Sequence, residues 1–218
     1  VAELVQQSRA RELRGIGPGI ERRLRELVET GEIAELRELE REVSPELAGL
    51  GRFLGVSVRR MLEIGRVLGV RTLDELRRAA AEGRLREVSG IGPETERKLE
   101  AALARDPQPT APRPLQLHRS RPLVASIAEA LGGLAAGDPR RWRDGSTRLA
   151  VAVAADNPAA ALARFAALPE IVVLLRPDLG VTVEGTAVEL VVAPPGSFGT
   201  ALVRATGSPE WVEALEPL

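Results

Sequence analysis

The spacing of hydrophobic positions changes once along the chain. Up to about Arg105 they recur at helical intervals. In "IERRLRELVETGEIAELRELEREV" the residues Leu24, Val28, Ile33, Leu36 and Leu39 return with charges between them, which predicts short amphipathic helices broken at glycine. "RDPQPTAPRP", from Arg105 to Pro114, carries four prolines. They fix φ and remove N–H donors, so no helix continues through this stretch and a domain boundary is expected there. Beyond it, "RPLVASIAEALGGL" predicts an apolar helix ending at Gly132 and Gly133, and "TRLAVAVAA" alternates like a half-buried strand. "NPAAALARFAAL" predicts a helix capped by Asn157 with Pro158 at its first position. "EIVVLLRP", "GVTVEG" and "TAVELVVAPP" predict three further strands, the last two joined tightly at Gly185. The expected fold class is multi-domain: an all-α N-terminal half, followed by an α+β part with helices on one face of a small mixed sheet.

Composition narrows the chemistry more than the fold. The 218 residues carry a formal net charge of -1, so a polyanion-binding surface has to be local. With no cysteine and His118 as the lone histidine, disulfides, thiolate nucleophiles, zinc–cysteine sites and histidine metal clusters are excluded. No apolar run reaches the roughly 18 residues of a membrane span and no signal peptide opens the chain, so a cytoplasmic protein with no membrane partner is expected. Val1 in place of an initiator Met points to a processed product or a fragment.

One word is written twice: "LRGIGPGIERRL" from Leu13 and "VSGIGPETERKL" from Val88. In each copy a short helix runs into Gly-Ile-Gly and a new helix starts beyond it, with the Ile expected to be buried between them. Glycines allow backbone angles barred to other residues and leave no side chain between the amides and a ligand. Pro18 or Pro93 fits the first helical turn, where a missing N–H costs nothing, and the neighbouring free N–H groups point outward with the helix dipole. Such a backbone site suits a phosphate, whose position carries no base identity. Gly15, Gly17 and Gly19, and Gly90, Gly92 and Thr95, would line the two sites. Arg22 and Arg23, or Arg97 and Lys98, could hold the next phosphate. The alternative is a tight helix–helix corner that uses glycine for packing alone. A weaker third copy lies in "FLGVSVRRML", with Gly55 and Ser57 in the glycine places and core packing as its simpler reading.

Gly-Ile-Gly-Pro between two helices resembles the helix-hairpin-helix motif of DNA repair proteins. The order of hairpins, "GRLREVSGIGPETERKL" and a terminal "VELVVAPPGSFGTALVRATGS" is similar throughout to the bacterial family X DNA polymerases, relatives of polymerase beta. The resemblance implies a partial 8-kDa-like domain over 1–43, a fingers-like domain over 44–105, a linker over 106–114 and a nucleotidyltransferase palm over 115–218. It implies gapped, nicked or duplex DNA as a non-sequence-specific partner, a nucleoid-associated role in DNA repair, and a monovalent cation at the hairpin loops. A C-terminal phosphoesterase domain, or a repair partner, would complete the protein.

Family palms use two Mg²⁺ ions about 3.5–4 Å apart, held by several carboxylates on adjacent strands. Matched without gaps, "AGDPRRWRDGSTRLAVAV" puts Gly137 and Asp138 at the family's Gly-Ser pair and Arg141 at the arginine that meets the triphosphate. Arg148 and Ala150 then stand at the two strand aspartates, and Glu189 at the third. Arg204 and Ala205 replace an aromatic pair near the sugar. The expectation is a folded but inactive palm, a pseudoenzyme. Its alternatives are a gap-filling nucleotidyltransferase that uses Mg²⁺ on Glu189 with non-standard carboxylates, and a protein-interaction scaffold. Asp144, Asp156 and Glu184 read as turn and cap residues. Lys98, the only lysine, lies on a charged helix rather than in the desolvated setting a Schiff-base lysine needs. Arg140, Arg141 and Arg143 around Trp142 read either as a polyanion site with a stacking ring or as a solvated loop with a partly buried Trp.

Overall fold

Helical periodicity is realised through the first hundred residues of the computed structural model, which describes residues 2–7, 9–42, 44–105, 108 and 114–215. Apart from Gln108 and Pro114, the expected linker over 106–114 lies outside the described residues, as does the side chain of Leu39. The chain divides into two compact units, Val1–Ser44 and Pro45–Leu218. The first contains α1 (Ala2–Gln6), a 3₁₀ turn over Ala10–Glu12, α2 (Pro18–Thr30) and α3 (Ala34–Glu42). Among its described residues the buried apolar ones are Val5 and Ala10, whereas Leu27 and Leu36 stay 43% and 49% exposed. The amphipathic stripe therefore forms here without a core large enough to cover it.

The second unit begins with α4 (Pro45–Phe53), α5 (Val58–Leu68), α6 (Leu73–Ala81), a 3₁₀ turn over Arg84–Glu87 and α7 (Pro93–Ala104). Thr72 and Glu75 form a reciprocal capping box that starts α6. There follow β1 (Leu115–Gln116), α8 (Leu117–Leu131), β2 (Leu134–Gly137), β3 (Gly145–Ser146), β4 (Leu149–Ala154), α9 (Pro158–Ala166), β5 (Ile171–Arg176), β6 (Leu179–Thr182), β7 (Ala187–Ala193), α10 (Phe198–Thr206) and α11 (Pro209–Leu215). β1 pairs only with β3; the main sheet runs β2-β4-β7-β6-β5, with β4 and β7 parallel and the other pairs antiparallel. Asn157 caps α9 as its sequence predicts, its Oδ1 accepting the Ala159 N–H at 3.0 Å.

Two expectations change. Helices cover both faces of the sheet rather than one. α8 and α9 pack on Leu149, Val151, Val153, Val188 and Leu190, while α10 lies over Ala136 and Ala150 on the other side. Accordingly β4 is not half-buried, since Leu149 to Val153 are all inside. The alternation in "TRLAVAVAA" is of large against small: valines fill the α8–α9 side, and alanines let α10 approach closely. The helices of 45–104 and the sheet also share a core, because Val173 and Val181 sit in one cluster with Leu47, Leu50, Met61 and Ile64.

Candidate nucleic-acid interface

The two copies of Gly-Ile-Gly-Pro fold into the same object. In the first, the 3₁₀ turn closes with the Leu13 N–H donating to the Ala10 carbonyl at 3.2 Å, and the Ile16 N–H returns to the Leu13 carbonyl at 3.2 Å. In the second, Val88 donates to Leu85 at 3.2 Å and Ile91 to Val88 at 3.1 Å. Gly15 and Gly90 take φ of 92° and 78°, the left-handed region that a side chain would strain. Gly17 and Gly92 then become N-caps at φ -90° and -86°, each followed by the predicted Pro. The first intrahelical bonds are Glu21 N–H to the Gly17 carbonyl and Glu96 N–H to the Gly92 carbonyl, both 3.0 Å. Among the described residues no side chain caps either helix, which leaves the amides of the first turn without a capping acceptor. Ile91 is buried as expected, but Ile16 is only half-buried.

The glycines at the helix entries are not explained by packing. A Cβ placed at Gly15, Gly17, Gly19 or Gly92 would meet no atom within 4 Å, and at Gly90 it would meet only the guanidinium of Arg60, which donates to the Ser89 carbonyl at 2.6 Å. At Gly17 and Gly92 the backbone angles are open to any residue. Both the close-packed corner and a conformational demand therefore fail to account for glycine at these two positions.

An ion pair that the sequence reading overlooked braces each hairpin. Glu21 and Glu96, 8% and 3% exposed, point inward from the start of their helices. Arg11 Nε lies 2.5 Å from Glu21 Oε2, and Arg86 Nη2 lies 3.1 Å from Glu96 Oε2. The signal was present, since the offset that relates Gly15 to Gly90 also relates Arg11 to Arg86 and Glu21 to Glu96. The nominated cations behave unequally. Arg23 is held by both carboxylate oxygens of Glu35 at 2.7 and 2.9 Å, and Lys98 Nζ lies 2.8 Å from Glu94. Arg97 bonds back to the Pro93 carbonyl at 3.3 Å, whereas Arg22 makes no ion pair among the described residues. Thr95 is exposed.

The third hairpin is real and open. Gly55 has φ 73° with no atom within 4 Å of a Cβ position, and Ser57 caps α5, its Oγ accepting the Arg60 N–H at 3.3 Å. Both are exposed, while Phe53, Leu54, Val56 and Met61 of the same stretch pack into the core, so core packing accounts for the apolar positions but not for Gly55 and Ser57. They line a cleft of ≈ 750 Å³ with Arg52, Arg119 and Glu184, the last two ion-paired.

In the sheet, the nominated palm residues are brought together but bonded to one another. The β4–β7 register sets Ala150 opposite Glu189, and Arg148 Nη2 lies 3.1 Å from Glu189 Oε2. Asp138, 4% exposed, accepts the Thr147 and Arg148 N–H groups at 2.9 and 3.1 Å and is ion-paired with Arg141. Burial pushes its carboxyl up, but these hydrogen bonds and Arg141 outweigh burial and hold it below the ordinary value. Gly137, at φ 73°, brings its backbone so close to β4 that a Cβ would lie 2.5 Å from the Arg148 carbonyl oxygen. Ala205 is buried under the sheet and Arg204 is exposed. Two metal ions need a convergent set of carboxylates. Among the described residues no three His, Asp or Glu side chains converge, and Glu189 is already neutralised. These residues do not fit a two-metal centre.

A family model for the SAM-like helix-hairpin-helix tandem matches residues 50–105, which hold the Gly55–Ser57 and Gly90–Gly92 hairpins. The chain is similar to the DNA polymerase/3'-5' exonuclease PolX of Bacillus subtilis (strain 168), 26% identical over 209 residues, 90% of this chain and 36% of that protein. It thus spans little more than a third of its relative's length, and the resemblance to family X polymerases read from its residues is supported along most of its own. No helix among the described residues is long and apolar enough to cross a membrane.

Proposed function

We propose that this chain binds DNA without sequence preference, gripping the sugar-phosphate backbone through the amides that follow Gly15, Gly55 and Gly90. Gly17, Gly19, Gly92, Thr95 and Arg22 would flank the bound phosphates. The observation that carries this reading is the empty space at Gly17 and Gly92: nothing in the fold requires glycine there, while a phosphate approaching free N–H groups does. The tandem family match and a relative named as a DNA polymerase and exonuclease support it. Gapped or nicked DNA in repair is the fitting substrate class, and the hairpin carbonyls offer oxygen ligands to a monovalent cation. The second unit's sheet would be a palm that no longer transfers nucleotides. Matched to the family's palm, Arg148 would stand in a metal carboxylate's place, and its ion pair with Glu189 supports the inactive reading over a polymerase built on Glu189.

The test is a titration of gapped DNA at increasing salt. Affinity should fall steeply with salt, because phosphate contacts release counterions. Replacing both Gly17 and Gly92 by Val should weaken binding at least about tenfold, the loss of one charge-assisted hydrogen bond or more. The fold should be kept, since a Cβ at either position meets no atom within 4 Å and the backbone angles suit a side chain. Unchanged affinity would overturn the reading. Nucleotide incorporation on gapped DNA with Mg²⁺ that vanishes in Glu189→Ala would overturn the inactive palm.

A further inference from the structure

Around Trp142 the second unit exposes chemistry that the hairpins do not use. The 3₁₀ turn over Asp138–Arg141 closes with the Trp142 N–H donating to the Pro139 carbonyl at 3.2 Å and the Arg143 N–H to the Asp138 carbonyl at 3.3 Å. This closure places Trp142 at φ 58°, ψ 32°, the only non-glycine residue at positive φ among those described. Ends of this shape take glycine or asparagine, and a bulky side chain there is strained. The ring is not recruited to a core in exchange, because Trp142 is 64% exposed. The Arg121 guanidinium lies over the indole, 3.4 Å from its centroid, so one face is covered and the exposure lies on the other.

The charges around the ring sort into used and unused. Arg141 is committed to Asp138, and Arg140 Nη1 donates to the Ala135 carbonyl at 3.3 Å. Arg121 and Arg143 are exposed and make no ion pair among the described residues. The acids nearby are Asp144, exposed in the turn, and Glu210 at the start of α11, held low by its own backbone amide and by Ser208, with Arg141 and Arg143 adding to the effect.

We propose that Trp142, Arg121 and Arg143 form a stacking platform for an unpaired base of DNA: the open indole face takes the base and Arg143 the adjoining phosphate. A flat aromatic surface flanked by unpaired guanidiniums fits a polyanion that carries flat rings; an acidic peptide would use the charges and leave the ring idle. Paired bases have both faces covered by neighbours, so the platform selects single-stranded gaps over duplex. The proposal rests on the DNA-binding reading and adds to it a second, strand-selective contact.

The experiment uses the full chain with Trp211→Phe, which leaves Trp142 as the sole tryptophan. Its emission is followed while oligothymidylate, a duplex with a several-nucleotide gap, and the same duplex without a gap are added. Quenching by the first two is expected. Trp142→Ala should weaken binding of the gapped duplex about tenfold, as loss of one base–aromatic stack does, with the intact duplex unaffected and Trp142→Phe retaining most of the effect. Trp142→Gly, which suits the left-handed backbone, removes the ring while favouring the turn and stands in if the alanine variant does not fold. Gapped DNA that binds without changing Trp142 emission, or an equal loss on gapped and intact duplex, overturns the platform and leaves the hairpin reading standing. Quenching that persists while Gly17→Val with Gly92→Val changes nothing would sink the hairpins instead. Absence of binding to any of the DNAs overturns both.

Discussion

Replacing Arg148 by Met keeps the aliphatic stem in place and removes the charge facing Glu189. The two side chains are only 22% and 17% exposed, and their atoms lie 3.1 Å apart. Exposed ion pairs contribute about 0–1 kcal/mol, and breaking a fully buried pair costs about 3–5 kcal/mol. This enclosure lies nearer the second case, so Arg148→Met should destabilise the second unit by about 2–3 kcal/mol, much of it from an acid left enclosed without its partner. Glu189→Gln alone leaves the guanidinium in the same position and should cost a similar amount. The double variant buries no charge and should recover part of the loss, giving a coupling of about 1.5–2.5 kcal/mol in the cycle. Urea unfolding followed by circular dichroism, with the m-value unchanged, reads all four corners. Additivity within about 0.5 kcal/mol would refute the claim that Arg148 and Glu189 neutralise each other in the folded sheet.

The other predictions are shorter. Arg86→Ala strands the Glu96 carboxylate, 3% exposed, and should cost about 2–3 kcal/mol in urea unfolding, whereas Arg9→Ala, which breaks an exposed pair with Glu12, should cost under about 0.5 kcal/mol. Gly137→Ala should destabilise far more than Gly55→Ala although both have φ 73°: the second meets open space and carries only the left-handed penalty of about 1–2 kcal/mol, while the first also drives a methyl group onto the Arg148 carbonyl. Asp138 is held below its ordinary value, so its stabilisation is complete above that value and is lost as pH falls through the lowered one. Asp138→Asn should therefore be less stable at neutral pH and show a shallower loss below about pH 4, measured as thermal midpoints across the acid range.

What was legible in the sequence followed local patterns. The hairpins announced themselves because glycine, proline and helical spacing act within a dozen residues, and Asn157 with Pro158 marked α9 for the same reason. β2 was missed because "LAAG" offers no β-branched or aromatic residue. Its place as an edge strand comes from pairing with β4. Burial of β4 on both faces was misread because alanine at alternate positions looks like the weak side of an amphipathic strand, and only the approach of α10 shows why it is small. The Arg148–Glu189 pair joins residues 41 apart through strand register, which no local pattern encodes. Arg11–Glu21 and Arg86–Glu96 were the opposite case, visible as a repeat at one offset but overlooked.

The core shared by α4 and the sheet limits how this protein can be cut. A Cβ at Gly49 would lie 2.7 Å from the Thr182 carbonyl oxygen, and one at Gly185 would lie 2.4 Å from Arg52 Cβ, so α4 rests almost backbone to backbone on the strands and their turn. The hairpin tandem over 50–105 cannot be excised there as an autonomous module: removing Leu47 together with Val173 and Val181 of the strands uncovers Leu50, Met61 and Ile64, and the freed fragment would lose cooperativity and clump. Pro45–Leu218 should instead melt as a single calorimetric transition, so that a lesion in the sheet is felt at the hairpin loops through stability alone.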